Sequence, residues 1–159
     1  LRITQTKFAE RNGEVSPDGR WLAYDSDESG RAEVYVHPWP AGDGGRWQVS
    51  TSGGVQPLWA RNGRELFCRA PDGALMTVPV DTAPGRASFA SGTPTRLITG
   101  DGYDHALGTA NNGRTYDVSP DGRRFLLIKV GSADGAPPRN LVVVLNWTEE
   151  LKRLAPASE

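Results

Sequence analysis

The sequence predicts an all-β fold, a β-propeller of four-stranded antiparallel blades, with three blades in its 159 residues. Two observations carry this. The phrase Val-Ser-Pro-Asp-Gly-Arg is written at Val15–Arg20 and again at Val118–Arg123, each time followed by an apolar run. A weaker copy, Trp59-Ala-Arg-Asn-Gly-Arg64, lies between them, 44 residues from the first when Asn62 is matched to Asp18. A repeat of about 40–45 residues with four strands is the size of a propeller blade.

The phrase itself is turn chemistry. Proline at position 17 or 120 presets φ for a type I turn, and aspartate suits the next position. Gly19, Gly63 and Gly122 then take the left-handed conformation that closes a tight antiparallel hairpin. Each copy therefore reads as strand, turn, strand, with a second strand over 20–24, 65–68 or 123–128. Third strands follow at 33–37, 74–78 and 141–145, and fourth strands at 46–50 and 96–99. The last copy has no fourth strand, and residues 2–4 resemble one at the opposite end of the chain. The blades fall at about 7–51, 52–100 and 113–147, with the extra strand in 1–6. The second interval, Asn62 to Asp121, is 59 residues long, so an insertion lies between 81 and 113. After Trp147, Thr148 can cap a short C-terminal helix in the tail 148–159, with Glu149 and Glu150 in its first turn and Lys152 and Arg153 near its end.

The phrase and its following strand resemble TolB-like, WD-repeat-like propeller repeats, from Ile3 to about Trp147. A narrower resemblance is to the C-terminal sensor region of bacterial serine/threonine kinases. It rests on residues 12–24, on Asp27-Glu-Ser-Gly30, on Val34-Tyr-Val-His-Pro-Trp-Pro40, on Arg46-Trp-Gln-Val-Ser50, on Asn140-Leu-Val-Val-Val-Leu-Asn-Trp147 and on Glu149-Glu-Leu-Lys-Arg-Leu154. This resemblance implies a sensor module of a larger signalling protein and an extracytoplasmic, periplasmic location.

Composition narrows the function. With 19 glycines, 12 prolines and a formal charge of −1, the chain has no basic field for nucleic acid. No apolar run approaches the ~18 residues of a membrane helix, so no membrane segment is expected. Cys68 is the single cysteine, so no intramolecular disulfide forms, and its apolar strand predicts a buried thiol. No nucleophile elbow or phosphate-cradling loop is written, and no catalytic residue, metal site or cofactor is expected. Asp25–Gly30 has alternating carboxylates but lacks the glycine and glutamate positions of a calcium loop, and reads as a charged hairpin tip.

Candidate ligand contacts are Tyr103, Asp104 and His105, in a polar and aromatic stretch of the insertion expected to be an exposed loop over 100–112. Trp39, between Pro38 and Pro40, is the aromatic expected to be most exposed, either a partner hot spot or a residue folded back over the blade edge. His37 reads as a strand-end residue and Trp59 as core between blades. The function expected is a non-catalytic binding or sensor module for a protein or small ligand. The alternative is an accessory propeller of a hydrolase or peptidase. Three blades do not close a ring, since propellers run from about four to eight. The isolated chain is therefore expected to form a homodimer that closes a six-bladed ring, each 1–6 strand pairing with the partner's 141–145 strand; the alternative is that residues upstream of Leu1 supply the missing blades and the dimer is a product of truncation.

Overall fold

The computed structural model describes residues 6–40, 44–82, 88–100 and 113–128. The C-terminal helix, the 141–145 strand, the 1–5 segment and the 101–112 loop lie outside these described residues.

The first blade is an antiparallel sheet in the order β1 (Glu10–Val15), β2 (Trp21–Ser26), β3 (Glu33–Pro38) and β4 (Trp47–Gln48). The second runs β5 (Val55–Trp59), β6 (Glu65–Arg69), β7 (Leu75–Asp81), with both β8 (Ala90–Ser91) and β9 (Thr95–Ile98) on the outer side of β7. The third shows a hairpin, β10 (Tyr116–Val118) with β11 (Phe125–Leu127). The fourth strand of the first blade is shorter than the expected 46–50, that of the second keeps the expected length within one residue of 96–99, and β8 is an additional strand that the repeat does not predict.

The repeated phrase builds the same hairpin three times. Gly19, Gly63 and Gly122 have φ of 72°, 67° and 70°. Their amides donate to the carbonyls of Ser16, Ala60 and Ser119 at 2.8, 2.9 and 2.8 Å. In the first and third copies the serine does more. Ser16 Oγ donates to Asp18 and accepts from the Trp21 amide, and Ser119 Oγ does the same with Asp121 and Arg124. Ala60 lacks this hydroxyl; in the second turn Asn62 accepts from the Arg64 amide at 2.9 Å and the Thr82 hydroxyl donates to the Gly63 carbonyl at 2.9 Å. A Cβ at Gly19 or Gly122 would meet no heavy atom within 4 Å, so the cost of a side chain there is conformational rather than steric. Gly19→Ala or Gly122→Ala should each cost about 1–2 kcal/mol in urea unfolding, with an unchanged m-value.

Blades stack face to face. Between the first and second, Ala23, Val34 and Val36 meet Trp59, Leu66, Cys68 and Val78. Phe89, delivered by the strand segment at β8, completes this seam. Its ring centroid lies 5.5 Å from Trp21, 5.9 Å from Trp47 and 6.4 Å from Trp59. The insertion is therefore in part a plug for the seam. Between the second and third blades Leu58, Phe67 and Leu75 meet Tyr116, Val118 and Phe125, with Phe67 edge-on to Phe125 at 5.2 Å.

Candidate functional site: the seam between the first two blades

The inner strands are kinked at equivalent positions. Asn12 and Gln56 have φ of 53° and 57°, and the β1–β2 and β5–β6 registers shift around them. A bulge re-aims the backbone amide and the side chain out of the ladder. The Gln56 amide thus donates across the seam to Asp25 Oδ1 at 3.0 Å, which also accepts from Asn12 Nδ2 at 2.7 Å. The Gln56 side chain points the other way. Its Oε1 accepts from the Thr115 amide and hydroxyl at 3.3 and 3.2 Å, and its Nε2 donates to the Gly113 carbonyl at 3.3 Å. Tyr116 Oη donates to the Gln56 carbonyl at 2.7 Å. One residue so links all three blades. Above it, Arg114 pairs with Glu14 at 3.2 Å, and Trp59 Nε1 donates to the Glu14 carbonyl at 3.0 Å.

Asp25 corrects the sequence reading. It belongs to β2, is 2 % exposed, and is not part of a charged hairpin tip. The tip is Asp27–Gly30, closed by the Gly30 amide on the Asp27 carbonyl at 2.9 Å. Burial raises the Asp25 carboxyl above its ordinary 3.8, and the Asn12 and Gln56 donors offset only part of the rise. The folded protein therefore binds this proton more tightly than the unfolded chain. The carboxylate costs stability at neutral pH, and the cost disappears as pH falls through the raised value towards 3.8. Asp25→Asn, which keeps the acceptor oxygen, should gain most over wild type at neutral pH. Urea unfolding at a series of pH values should show the advantage shrinking in acid; a constant difference would contradict this.

At one end of this seam lies a cleft of about 480 Å³ between the 50–53 connection, the 70–72 turn and the start of β9. Ser50, Thr51, Ser52 and Thr93 supply hydroxyls around it, and Cys68, Ala70 and Met76 supply apolar lining. Arg96 and Asp72, both half-exposed, pair beside it at 2.7 Å. The walls are braced by Glu33, fully buried, which accepts from Ser50 Oγ, from Arg31 Nε at 2.7 Å and from the Gly53 amide at 2.9 Å. Gly53 has φ of 91°, and a Cβ there would sit 2.3 Å from Pro71 Cγ, so the connection can pass this close only as glycine. At the other end of β6, a second cleft of about 590 Å³ runs between the first two repeated turns, lined by Asp18, Arg61, Arg64 and Thr82.

The first cleft can hydrogen-bond and desolvate a ligand. Its thiol is not a nucleophile, because burial, with a smaller contribution from Glu33, pushes Cys68 up to about 12. Cys68 is 2 % exposed, and iodoacetamide at mild alkaline pH should label it only at the rate of global unfolding, as read by mass spectrometry with and without urea. Among the described residues no group of three or more metal-ligating side chains gathers.

Of the expected contacts, Tyr103, Asp104 and His105 lie outside the described residues. Trp39 is half-buried rather than exposed: it folds back and packs on Leu22, Tyr24 and Tyr35. His37 is within β3 and 4 % exposed, so it is a buried residue at a strand end. Trp59 lies in the seam, 3 % exposed, as the repeat alignment expects.

Neither a family model nor a curated protein matches this sequence. The fold is shared with a protein described as a TolB of Agrobacterium tumefaciens, at a TM-score of 0.52 and 17 % identity. The match covers 82 % of this chain and 46 % of that one, so this chain spans about half the length of its neighbour. A likeness at this identity establishes the propeller fold and leaves function to the residues. No helix among the described residues is long and apolar enough to cross a membrane.

Proposed function

We propose that this chain is a non-catalytic propeller module that binds a protein segment or small ligand, and that the cleft at the first seam is its contact site. The observation that carries this reading is the cleft's make-up: hydroxyls beside an apolar lining, with a thiol held protonated. Its volume of about 480 Å³ lies within the ~300–1,000 Å³ of ligand sites. The resemblance to kinase sensor regions favours a place in a larger signalling protein, with the module reporting occupancy to the rest of that chain. The residues Tyr103, Asp104 and His105 are proposed as further contacts.

The test is cross-linking and hydroxyl-radical footprinting of the purified chain in cell extract. Met76, Pro71 and Pro94 should be protected when a partner binds, and Met76→Trp, which fills the cleft, should abolish the protection. Protection confined to other surfaces would overturn the site. Turnover of peptide, ester or phosphate substrates that Met76→Trp abolishes would overturn the non-catalytic reading.

A further inference from the structure

The second repeated turn carries a different charge from the other two. Where the first and third copies write Ser-Pro-Asp-Gly-Arg, the second writes Ala60-Arg-Asn-Gly-Arg64. A cation replaces the proline, and a neutral side chain of the same shape replaces the aspartate. In the first copy that aspartate has two tasks. Asp18 Oδ1 accepts from the Arg20 amide at 3.2 Å, and Asp18 Oδ2 pairs with Arg20 Nε at 2.8 Å. Asn62 keeps the first task, accepting from the Arg64 amide, and has no charge for the second. Arg64 therefore stands at the position of Arg20 without the carboxylate that holds Arg20. Neither its guanidinium nor that of Arg61 has a partner among the described residues.

Both groups line the second cleft, about 590 Å³ between the first two turns and the end of β7. Its frame is fixed. Arg20 donates to the Thr82 carbonyl, the Thr82 hydroxyl to the Gly63 carbonyl at 2.9 Å, and the Val80 amide to the Arg64 carbonyl at 2.9 Å. The Arg64 backbone is thus held at its amide and its carbonyl, while its side chain, like that of Arg61, is exposed. Two unpaired guanidinium groups on a preformed wall suit an anion, which they grip through paired N–H donors. The charge balance selects which anion. The lining sets the carboxylates of Asp18 and Asp81 against Arg61 and Arg64, and Arg20, bonded to Asp18 and Thr82, adds a third guanidinium. The surplus is one positive charge. A carboxylate matches it. A phosphate monoester, at about −1.5 to −2 near neutral pH, exceeds it beside Asp18 and Asp81.

We infer that this cleft is a second binding site, selective for a carboxylate, with Arg61 and Arg64 as its clamp. It lies among the repeated turns, at the opposite end of β6 from the first cleft, and shares no lining residue with it. Its volume exceeds that of a carboxylate alone. The remainder takes either the stem and neighbours of an acidic side chain in a polypeptide or the body of a small organic acid.

The experiment is an NMR titration of the full chain at low ionic strength, following the arginine Nε–H signals. The probes are propionate, a blocked tripeptide with glutamate at its centre, its glutamine counterpart, and inorganic phosphate. Propionate and the glutamate peptide should shift the Arg61 and Arg64 signals saturably, and the glutamine peptide should not. A glutamate peptide that binds about tenfold or more tightly than propionate assigns the site to acidic polypeptide segments, and equal affinity assigns it to small organic acids. Asn62→Asp is the sharpest variant. It restores the residue that the other two turns carry, so the fold is kept, and it gives Arg64 an internal partner. Its affinity should fall by about tenfold or more, and Arg61→Gln should lose as much. Undiminished binding in Asn62→Asp, no saturable shift in wild type, or phosphate binding more tightly than propionate would overturn the carboxylate site. Met76 protection at the first cleft should be the same in Asn62→Asp as in wild type, so the two sites succeed or fail separately.

Discussion

Trp59→Ala should be the most damaging single substitution in the described residues, costing about 3–5 kcal/mol, the range for truncating a buried large aromatic. Trp59 is 3 % exposed and lies on the second blade's face towards the first. Three losses add there. The truncation opens a cavity against Phe89, whose centroid is 6.4 Å away and which itself holds Trp21 and Trp47. The Glu14 carbonyl loses the indole donor at 3.0 Å. The short β8 segment loses the surface against which Phe89 packs. Since small domains are stable by only about 5–15 kcal/mol, the variant should be largely unfolded at moderate urea. Trp59→Phe separates the causes. It keeps most of the apolar volume and drops only the indole donor, so it should fall about 1–2 kcal/mol below wild type. Far-UV circular dichroism during urea titration is the readout, because tryptophan fluorescence changes with the mutation itself. Equal effects of the two substitutions would mean that the hydrogen bond, not the packing, holds the seam.

How far this fold is legible in the sequence depends on how local its causes are. The three repeated hairpins are written in six residues each, and their chemistry needs nothing from the rest of the chain. Hence Gly19, Gly63 and Gly122 could be placed, with positive φ, from the phrase alone. The outer strands are a mixed case. Those at 47–48 and 95–98 fall where the repeat puts them, but residues 90–91 pair with β7 over two positions only, and no period shows in two residues. Phe89 is pulled into the seam by three tryptophans that lie far from it in sequence. Asp25 was misread for a related reason. It stands in a run with Asp27 and Glu28, and composition makes such a run a solvated tip. Its burial is a tertiary fact, set by the blade stacked against β2. A signal for the polar hub did exist. Asn12, Gln56 and Thr115 each precede the turn's Asp or Asn by six residues, so three polar side chains recur at one position of the inner strand. Aligning the repeats on their bulges as well as their turns would have exposed it. Trp39 shows the limit of reading a residue by its neighbours. Two flanking prolines suggest a projecting loop, yet the position is equivalent to Val80 and belongs to the sheet face.

The second large effect is expected at Gln56. Replacing it by alanine should cost about 2–3 kcal/mol and should loosen the second seam more than the first. The side chain and the backbone of this residue serve different blades. Its amide bond to Asp25 and its carbonyl bond from Tyr116 Oη survive truncation, so the first seam keeps its crossing contact. What goes is the amide group that accepts from the Thr115 amide and hydroxyl and donates to the Gly113 carbonyl. Three bonds of 3.2–3.3 Å are each worth about 0.5–1.5 kcal/mol net, and losing partners in a buried site adds desolvation. Against this, alanine tolerates the left-handed φ of 57° no better than glutamine, so no strain is relieved. Gln56→Gly does relieve it and should recover about 1 kcal/mol of the loss. Native-state hydrogen exchange reads the location. In Gln56→Ala the amides of Thr115 and the β10–β11 hairpin should exchange faster by a larger factor than those of β2 and β3. A uniform acceleration across both blades would show instead that the hub holds the whole arc together, with no division between its seams.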